Sequence, residues 1–157
     1  MNTKGGMRQW LDAYGESHQH PTNELVHWIC VPTIFFCVVG LVASIPSPTL
    51  AFVTGYLWVK LALMFTLLFY ARRSFPLFIG MALWCICCFA LAVWLDMTAP
   101  WPLWSICAVL FVLAWIGQFI GHRIEGKKPS FLDDIRFLLI GPAWLMAKVY
   151  DRLGVGY

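Results

Sequence analysis

Histidine is the residue type in this sequence best suited to chemistry. The chain has four histidines: three lie close together near the start, and the fourth lies far along the chain. Histidine is the commonest protein ligand for transition metals, and both places flank long apolar segments. The two clusters, His18 to His27 and Gln118 to Pro129, contain no cysteine ligand, which favours iron, manganese or zinc over copper(I). We therefore predict a metal site built from His18, His20, His27 and His122.

Polar side chains around the histidines could orient metal ligands or contact a substrate. In a helix, Asn23 and His27 would lie one turn apart, and Gln118 and His122 would do the same. Gly121 between the latter pair would let another helix approach closely. The candidates for these supporting roles are Asn23, Glu24, Gln118, Glu125, Arg123, Lys127 and Lys128.

The composition indicates which kind of element must position these residues. The chain is 61% hydrophobic and 12% charged, with a mean hydropathy of +0.73, outside the range of soluble domains. An integral membrane protein is expected, with a lipid bilayer and not nucleic acid as its partner. No linker or repeat divides the 157 residues, so we predict one domain over 1–157.

The apolar segments predict an all-α helical bundle. Each segment is near the ~20 residues that span hydrocarbon, and Pro or charged residues separate them. Met7, Trp10, Leu11 and Tyr14 would form one face of an interfacial helix within the N-terminal segment 1–24. A shorter segment, 137–149, suits an interfacial or re-entrant helix within the C-terminal segment 121–157. The predicted crossings are 25–45, 50–71, 75–95 and 102–120.

The basic residues orient the four crossings, because the connections after the first and third crossing carry no Lys or Arg. By the positive-inside rule both termini are cytoplasmic, and all four histidines lie at the cytoplasmic membrane face. The first 24 residues lack the apolar core of a signal peptide, so the first crossing would act as the targeting signal. The expected location is the bacterial inner membrane, or the endoplasmic reticulum in a eukaryote.

Other residues in the apolar segments have simpler interpretations. The six cysteines all lie inside these segments, where free cysteine packs as a small hydrophobe. Lys60 lies near the middle of the second predicted crossing, where a charge is costly, so its side chain is expected to face the bundle interior.

Two motifs together resemble a known family. The first runs from Tyr14 to Thr33 and contains His18, Pro21, Asn23 and His27. The second is Gln118-Phe119-Ile120-Gly121-His122, followed by Glu125 and Pro129. The chain from Tyr14 to about Leu153 is similar to the Mpo-type family of small multi-pass membrane proteins, the iron(II)-dependent 2-hydroxy fatty acid dioxygenases of fatty-acid α-oxidation.

The resemblance implies an activity and a catalytic set. His18, His27 and His122 match the histidines associated with activity in the family, whereas His20 stands where some members have asparagine. The implied cofactor is Fe(II), and the implied substrates are a long-chain 2-hydroxy fatty acid and O2. Arg123, Lys127 or Lys128 could attract the substrate carboxylate.

Two other functions fit the same residues. A zinc-dependent membrane hydrolase acting on a lipid amide or ester would use the histidines with Glu24 or Glu125 as general base. A non-enzymatic membrane scaffold or small transporter would use the histidines for structure only. The resemblance favours the dioxygenase.

Overall fold

The computed structural model describes residues 6–48, 55–126 and 137–157. These residues form six helices and no strand, so the predicted all-α class is confirmed. The helices are α1 (Met7–Gly15), α2 (Pro21–Ala43), α3 (Leu57–Ala71), α4 (Phe75–Thr98), α5 (Leu103–Glu125) and α6 (Phe137–Leu153). Within the described ranges α2, α4 and α5 are long and apolar enough to cross a membrane. The fold is that of a membrane protein.

All four predicted crossings differ in extent from the helices, and two of these differences change the position of a residue discussed above. The fourth continues to Glu125, which places His122 in the last turn of α5. In the second, α3 has 15 residues and begins at Leu57, while positions 50–54 lie outside the described residues. Lys60 therefore lies in the first turn of α3 and is exposed. The expectation that Lys60 faces the interior was wrong, because a long charged side chain near a helix end can extend toward water.

Close contact between α2 and α5 depends on glycine. A Cβ added to Gly121 of α5 would collide with the Asn23 Oδ1 atom of α2. At the other end of the pair, a Cβ on Gly40 of α2 would collide with the Cys107 Sγ atom of α5. Small residues let two backbones approach each other. The two helices can therefore bring together side chains from opposite parts of the sequence.

Helix α6 runs antiparallel to α2. Near its end, the Lys148 Nζ atom lies 2.8 Å from Glu24 Oε1 in the first turn of α2. Earlier in α6, a Cβ on Gly141 would lie 3.4 Å from Val31 Cγ1, and Val31 is about two turns farther along α2 than Glu24. The helix therefore begins inside the bundle and ends level with the start of α2, and it is longer than the predicted segment 137–149.

Helix α1 packs on α6 through the apolar face that its sequence indicates. Met7, Trp10, Leu11 and Tyr14 are all buried. A short turn then leads to α2, which begins at Pro21 after the N-cap residue His20. His18 lies in this turn, so the packing of α1 determines where its ring is placed.

The cysteines behave as packing residues in the described ranges. Five are buried, Cys87 is exposed, and all six are free thiols. Cys37 and Cys107, both fully buried, lie in the core between α2 and α5.

Candidate metal centre

Two buried histidine rings meet beside the first turns of α2. The His18 Nε2 atom lies 2.8 Å from His27 Nε2. Each Nδ1 atom contacts the carbonyl oxygen of the residue four positions earlier, at 2.5 Å from Tyr14 O and 2.9 Å from Asn23 O. A carbonyl oxygen only accepts, so each Nδ1 carries the proton and donates. With both rings neutral, two Nε2 lone pairs lie close together, which is unfavourable unless the rings share a proton or both bind one metal ion beside them.

His122 completes the group from the last turn of α5. Its ring centroid lies 5.0 Å from those of both His18 and His27. One possible ligand atom from each histidine lies within 4.8 Å of the others. The His122 side chain is buried, and its Nδ1 atom has no hydrogen-bond partner within residues 6–48, 55–126 and 137–157. His18, His27 and His122, called the histidine cluster below, could therefore hold a metal ion.

Glu125 fastens the turn that carries His18 to the end of α5. Its carboxylate accepts from the backbone N–H of Gln19 at 3.0 Å and of His20 at 2.8 Å. It also accepts from the Asn23 side-chain amide at 3.2 Å. The helix dipole favours a negative charge near the start of α2. Glu125 thus holds the turn beside the two helices that carry the other histidines.

The fourth predicted ligand, His20, is not part of the cluster. His20 is exposed and is the N-cap residue of α2, with Nδ1 accepting from the backbone N–H of Thr22 at 3.2 Å. An N-cap acceptor satisfies one of the free N–H groups of the first helical turn. The N-cap contact explains the position of the His20 side chain, and the role of His20 as a metal ligand stays a prediction.

The other predicted site residues divide by their surroundings. Gln118 is buried on α5, one turn before the cluster. Glu24 is half-buried and forms an ion pair with Lys148. Arg123 is exposed. Two further candidates lie outside the described residues, namely Lys127 and Lys128.

Two aromatic residues that the sequence did not single out for the site pack against His18. The Tyr14 ring stacks on it with centroids 4.3 Å apart, and the Trp144 ring lies 5.3 Å away. Burial raises the pKa of the Tyr14 phenol, which therefore stays neutral. The spacing of four residues between Tyr14 and His18 could have predicted that their rings lie close together. No feature of the sequence distinguishes Trp144, because it is one of nine tryptophans in a chain expected to have aromatic belts.

The fold and the site define a class, a multi-helix membrane protein with a buried group of three histidines. The chain belongs to the family described as "2-hydroxy-palmitic acid dioxygenase Mpo1-like", whose model matches residues 6–153. It is similar to the 2-hydroxy-palmitic acid dioxygenase MPO1 of Saccharomyces cerevisiae, with 29% identity over 153 residues. The match covers 94% of this chain and 82% of the yeast protein. No solved structure matches the chain significantly. The family resemblance of the sequence motifs is confirmed.

Proposed function

We propose that this protein is an iron(II)-dependent dioxygenase that shortens long-chain 2-hydroxy fatty acids by one carbon. The reaction RCH(OH)COOH + O2 → RCOOH + CO2 + H2O is balanced, and the substrate supplies all four electrons. Family membership and the substrate named for the yeast relative support this substrate class. The proposed metal ligands are His18, His27 and His122.

The observation that carries the proposal is the pair of facing Nε2 atoms. Both rings are held by Nδ1–H donation to backbone carbonyls, so the Nε2 atoms of His18 and His27, 2.8 Å apart, are the ones left to share a metal ion. Two imidazole ligands about 2.1 Å from one metal ion lie roughly 3 Å apart when they are adjacent, close to the observed distance. The donor set therefore fits a metal ion. Bound iron(II) would supply the activation of O2, as open non-haem sites do.

The protein's own residues hold and shield this site. The carbonyl oxygens of Tyr14 and Asn23 fix the ring orientation and the tautomer of the two histidines. The rings of Tyr14 and Trp144 cover His18 and exclude water from one side of the cluster. Glu125 keeps the turn that bears His18 in place. These contacts pre-organise the ligands before any substrate binds.

The position of the cluster suits an amphiphilic substrate. It lies at one end of α2 and α5, so a carboxylate can approach from water while the acyl tail lies among apolar helices. We propose that this end and both termini face the cytoplasm, where Arg123, Lys127 and Lys128 would attract the carboxylate. The membrane would be the bacterial inner membrane, or the endoplasmic reticulum in a eukaryote.

The hydrolase alternative is less well supported by the surroundings of the two carboxylates it would need. Glu125 accepts hydrogen bonds from two backbone amides and from Asn23. Glu24 is paired with Lys148 and accepts from the Trp28 indole at 3.4 Å. A general base needs a free oxygen that can reach a metal-bound water. Both carboxylates are already engaged in structural contacts.

The experiment is metal analysis of the purified protein, followed by anaerobic iron(II) loading and oxygen uptake on 2-hydroxypalmitate. His27→Ala and His122→Ala are compared with wild type, and Cys87→Ala, a change at an exposed position on α4, is the matched control. We expect iron binding and substrate-dependent oxygen uptake in wild type and control, and the loss of both in the histidine variants.

The other outcomes separate the alternatives. Stoichiometric zinc without oxygen uptake would support the hydrolase. An unchanged protein after metal removal, with no activity in any variant, would support the scaffold or transporter. Either result would refute the dioxygenase proposal.

A further inference from the structure

Three buried polar atoms around the histidine cluster have no hydrogen-bond partner among the residues that the structure describes. They are the Oδ1 atom of Asn23, the Nδ1 atom of His122 and the Nε2 atom of Gln118. An unpaired buried polar group is costly, and native proteins pair nearly all such groups. Each of the three atoms therefore calls for its own explanation.

The close approach of the helices accounts for the Asn23 oxygen. The Asn23 amide nitrogen donates to Ser17 O at 3.4 Å and to Glu125 Oε2 at 3.2 Å, which fixes the orientation of the amide. The Oδ1 atom then lies so close to Gly121 that a Cβ added there would collide with it. The backbone of α5 thus fills the space beside this oxygen, and no ligand is needed there.

The metal proposed above accounts for the His122 nitrogen. His122 is one of the three residues whose ligand atoms lie within 4.8 Å of one another. A ring nitrogen kept free of hydrogen bonds is available for coordination. The nitrogen of Gln118 is thus the atom that neither helix packing nor the metal explains.

Gln118 lies on α5 one turn before His122, toward the interior of the bundle. Its side chain is 5% exposed, and it shares the buried face of α5 with Ala114, Gly121 and His122. Because α5 ends at the cluster, Gln118 is one turn, about 6 Å, farther from that end of the bundle than His122. Gln118 is therefore on the side of the cluster where the acyl tail of a bound substrate would lie.

We propose that the Gln118 amide donates a hydrogen bond to the 2-hydroxyl oxygen of the bound 2-hydroxy acid and so selects for that group. This inference rests on the proposed function. In such an acid the 2-oxygen lies between the carboxylate and the tail, so it is the first acceptor met from the tail side. An amide N–H can only donate, and the acyl tail offers no acceptor. Gln118 would be a specificity-determining residue for the reaction.

The test measures binding to the iron(II)-loaded protein without oxygen, so that turnover plays no part. The probes are 2-hydroxypalmitate and palmitate, which differ only in the 2-hydroxyl. Gln118→Met keeps nearly the same shape without a donor, and Gln118→Leu is a second apolar variant. We expect the preference for 2-hydroxypalmitate to fall about tenfold in both variants, as loss of one hydrogen bond implies. Iron content should not change.

Thermal stability without ligand supplies the readout that separates binding from structure. Removing an unpaired buried amide should leave the melting temperature of Gln118→Met equal to or above that of wild type. The shift induced by 2-hydroxypalmitate should shrink, and the shift induced by palmitate should not.

Several results would overturn the inference. One is an unchanged preference for 2-hydroxypalmitate over palmitate in both variants, and another is an equal loss of affinity for the two acids. A third is misfolding of both variants, which would show that the Gln118 amide has a structural role. In each case a wild type that still binds iron and consumes oxygen leaves the proposed function standing. A wild type without iron or oxygen uptake would instead refute the proposed function itself.

Discussion

The two ends of the α2–α5 pair use the same packing device for different purposes. At one end Gly40 makes room for Cys107, and the space between the helices is filled by apolar side chains and thiols. At the other end Gly121 makes room for Asn23, and the neighbouring positions carry His27 and His122. Glycine brings the backbones together at both ends, but only one end uses the approach to assemble polar groups.

This difference shows how to separate structural from functional residues in a small membrane bundle. At the Gly40 end, packing accounts for the buried groups, since a cysteine thiol behaves as a small hydrophobe. At the Gly121 end, packing leaves the Nδ1 atom of His122 and the Nε2 atom of Gln118 without partners in the described part of the chain. Buried polar atoms that the fold does not satisfy therefore mark the end of the bundle where a ligand is expected.

The strongest test of the comparison substitutes alanine for each glycine. Gly121→Ala and Gly40→Ala should each destabilise the protein by about 1 to 3 kcal/mol, because the new Cβ overpacks a close helix contact. Only Gly121→Ala should also lose metal, since it displaces Asn23, whose carbonyl oxygen orients His27. Thermal melting and iron analysis of the two variants measure this. Equal metal loss in both variants would show that the two ends are not distinct.

A smaller effect is expected from Glu125→Ala. The substitution frees the turn that carries His18 while leaving all three histidines in place. Loss of a residue that orients ligands typically costs 10- to 100-fold in metal affinity. Glu24→Ala is the matched control, because it also removes a carboxylate at the start of α2. The Glu24 carboxylate pairs with Lys148 and not with the turn that carries His18. Titration with iron(II) should show weakened binding for Glu125→Ala alone, and wild-type affinity in Glu125→Ala would contradict the role of the carboxylate.

The smallest effect is expected at His20. Asparagine is a strong N-cap residue, so His20→Asn should preserve the start of α2 and change stability by less than ~0.5 kcal/mol. His20→Ala removes the cap and should cost about 1 kcal/mol. Iron content should be equal in wild type and both variants. Loss of iron from His20→Asn would instead make His20 a ligand and support the four-histidine site expected from the sequence.

The sequence predicted the membrane helices well because the signal is local. A run of apolar residues of sufficient length forms a helix whatever its neighbours are, and proline and charge interrupt it. The same logic failed for Lys60, since the true start of α3 at Leu57 changes its position from the middle of a crossing to the first turn. Helix boundaries are the least reliable part of such predictions.

For the site, residue types were predictable and contacts were not. The one-turn spacings of Asn23 with His27 and of Gln118 with His122 follow from helix periodicity. The separation of His20 from the other histidines depends on the N-cap geometry of α2, and the contact of Trp144 with His18 depends on the packing of α6. Neither the position of His20 nor the contact of Trp144 can be deduced from sequence spacing.

Hydrophobic length and helix period act over a few turns, so the residues alone predict apolar membrane helices with histidines near the ends of two of them. The folded chain adds that His18, His27 and His122 meet, that the Nε2 atoms of His18 and His27 lie 2.8 Å apart, and that Glu125 holds the turn. The contacts of Glu125 join segments about a hundred residues apart, as does the approach of His122 to the other two histidines. Sequence spacing does not specify such contacts, and the approach of α2 to α5 at Gly121 is what brings the segments together.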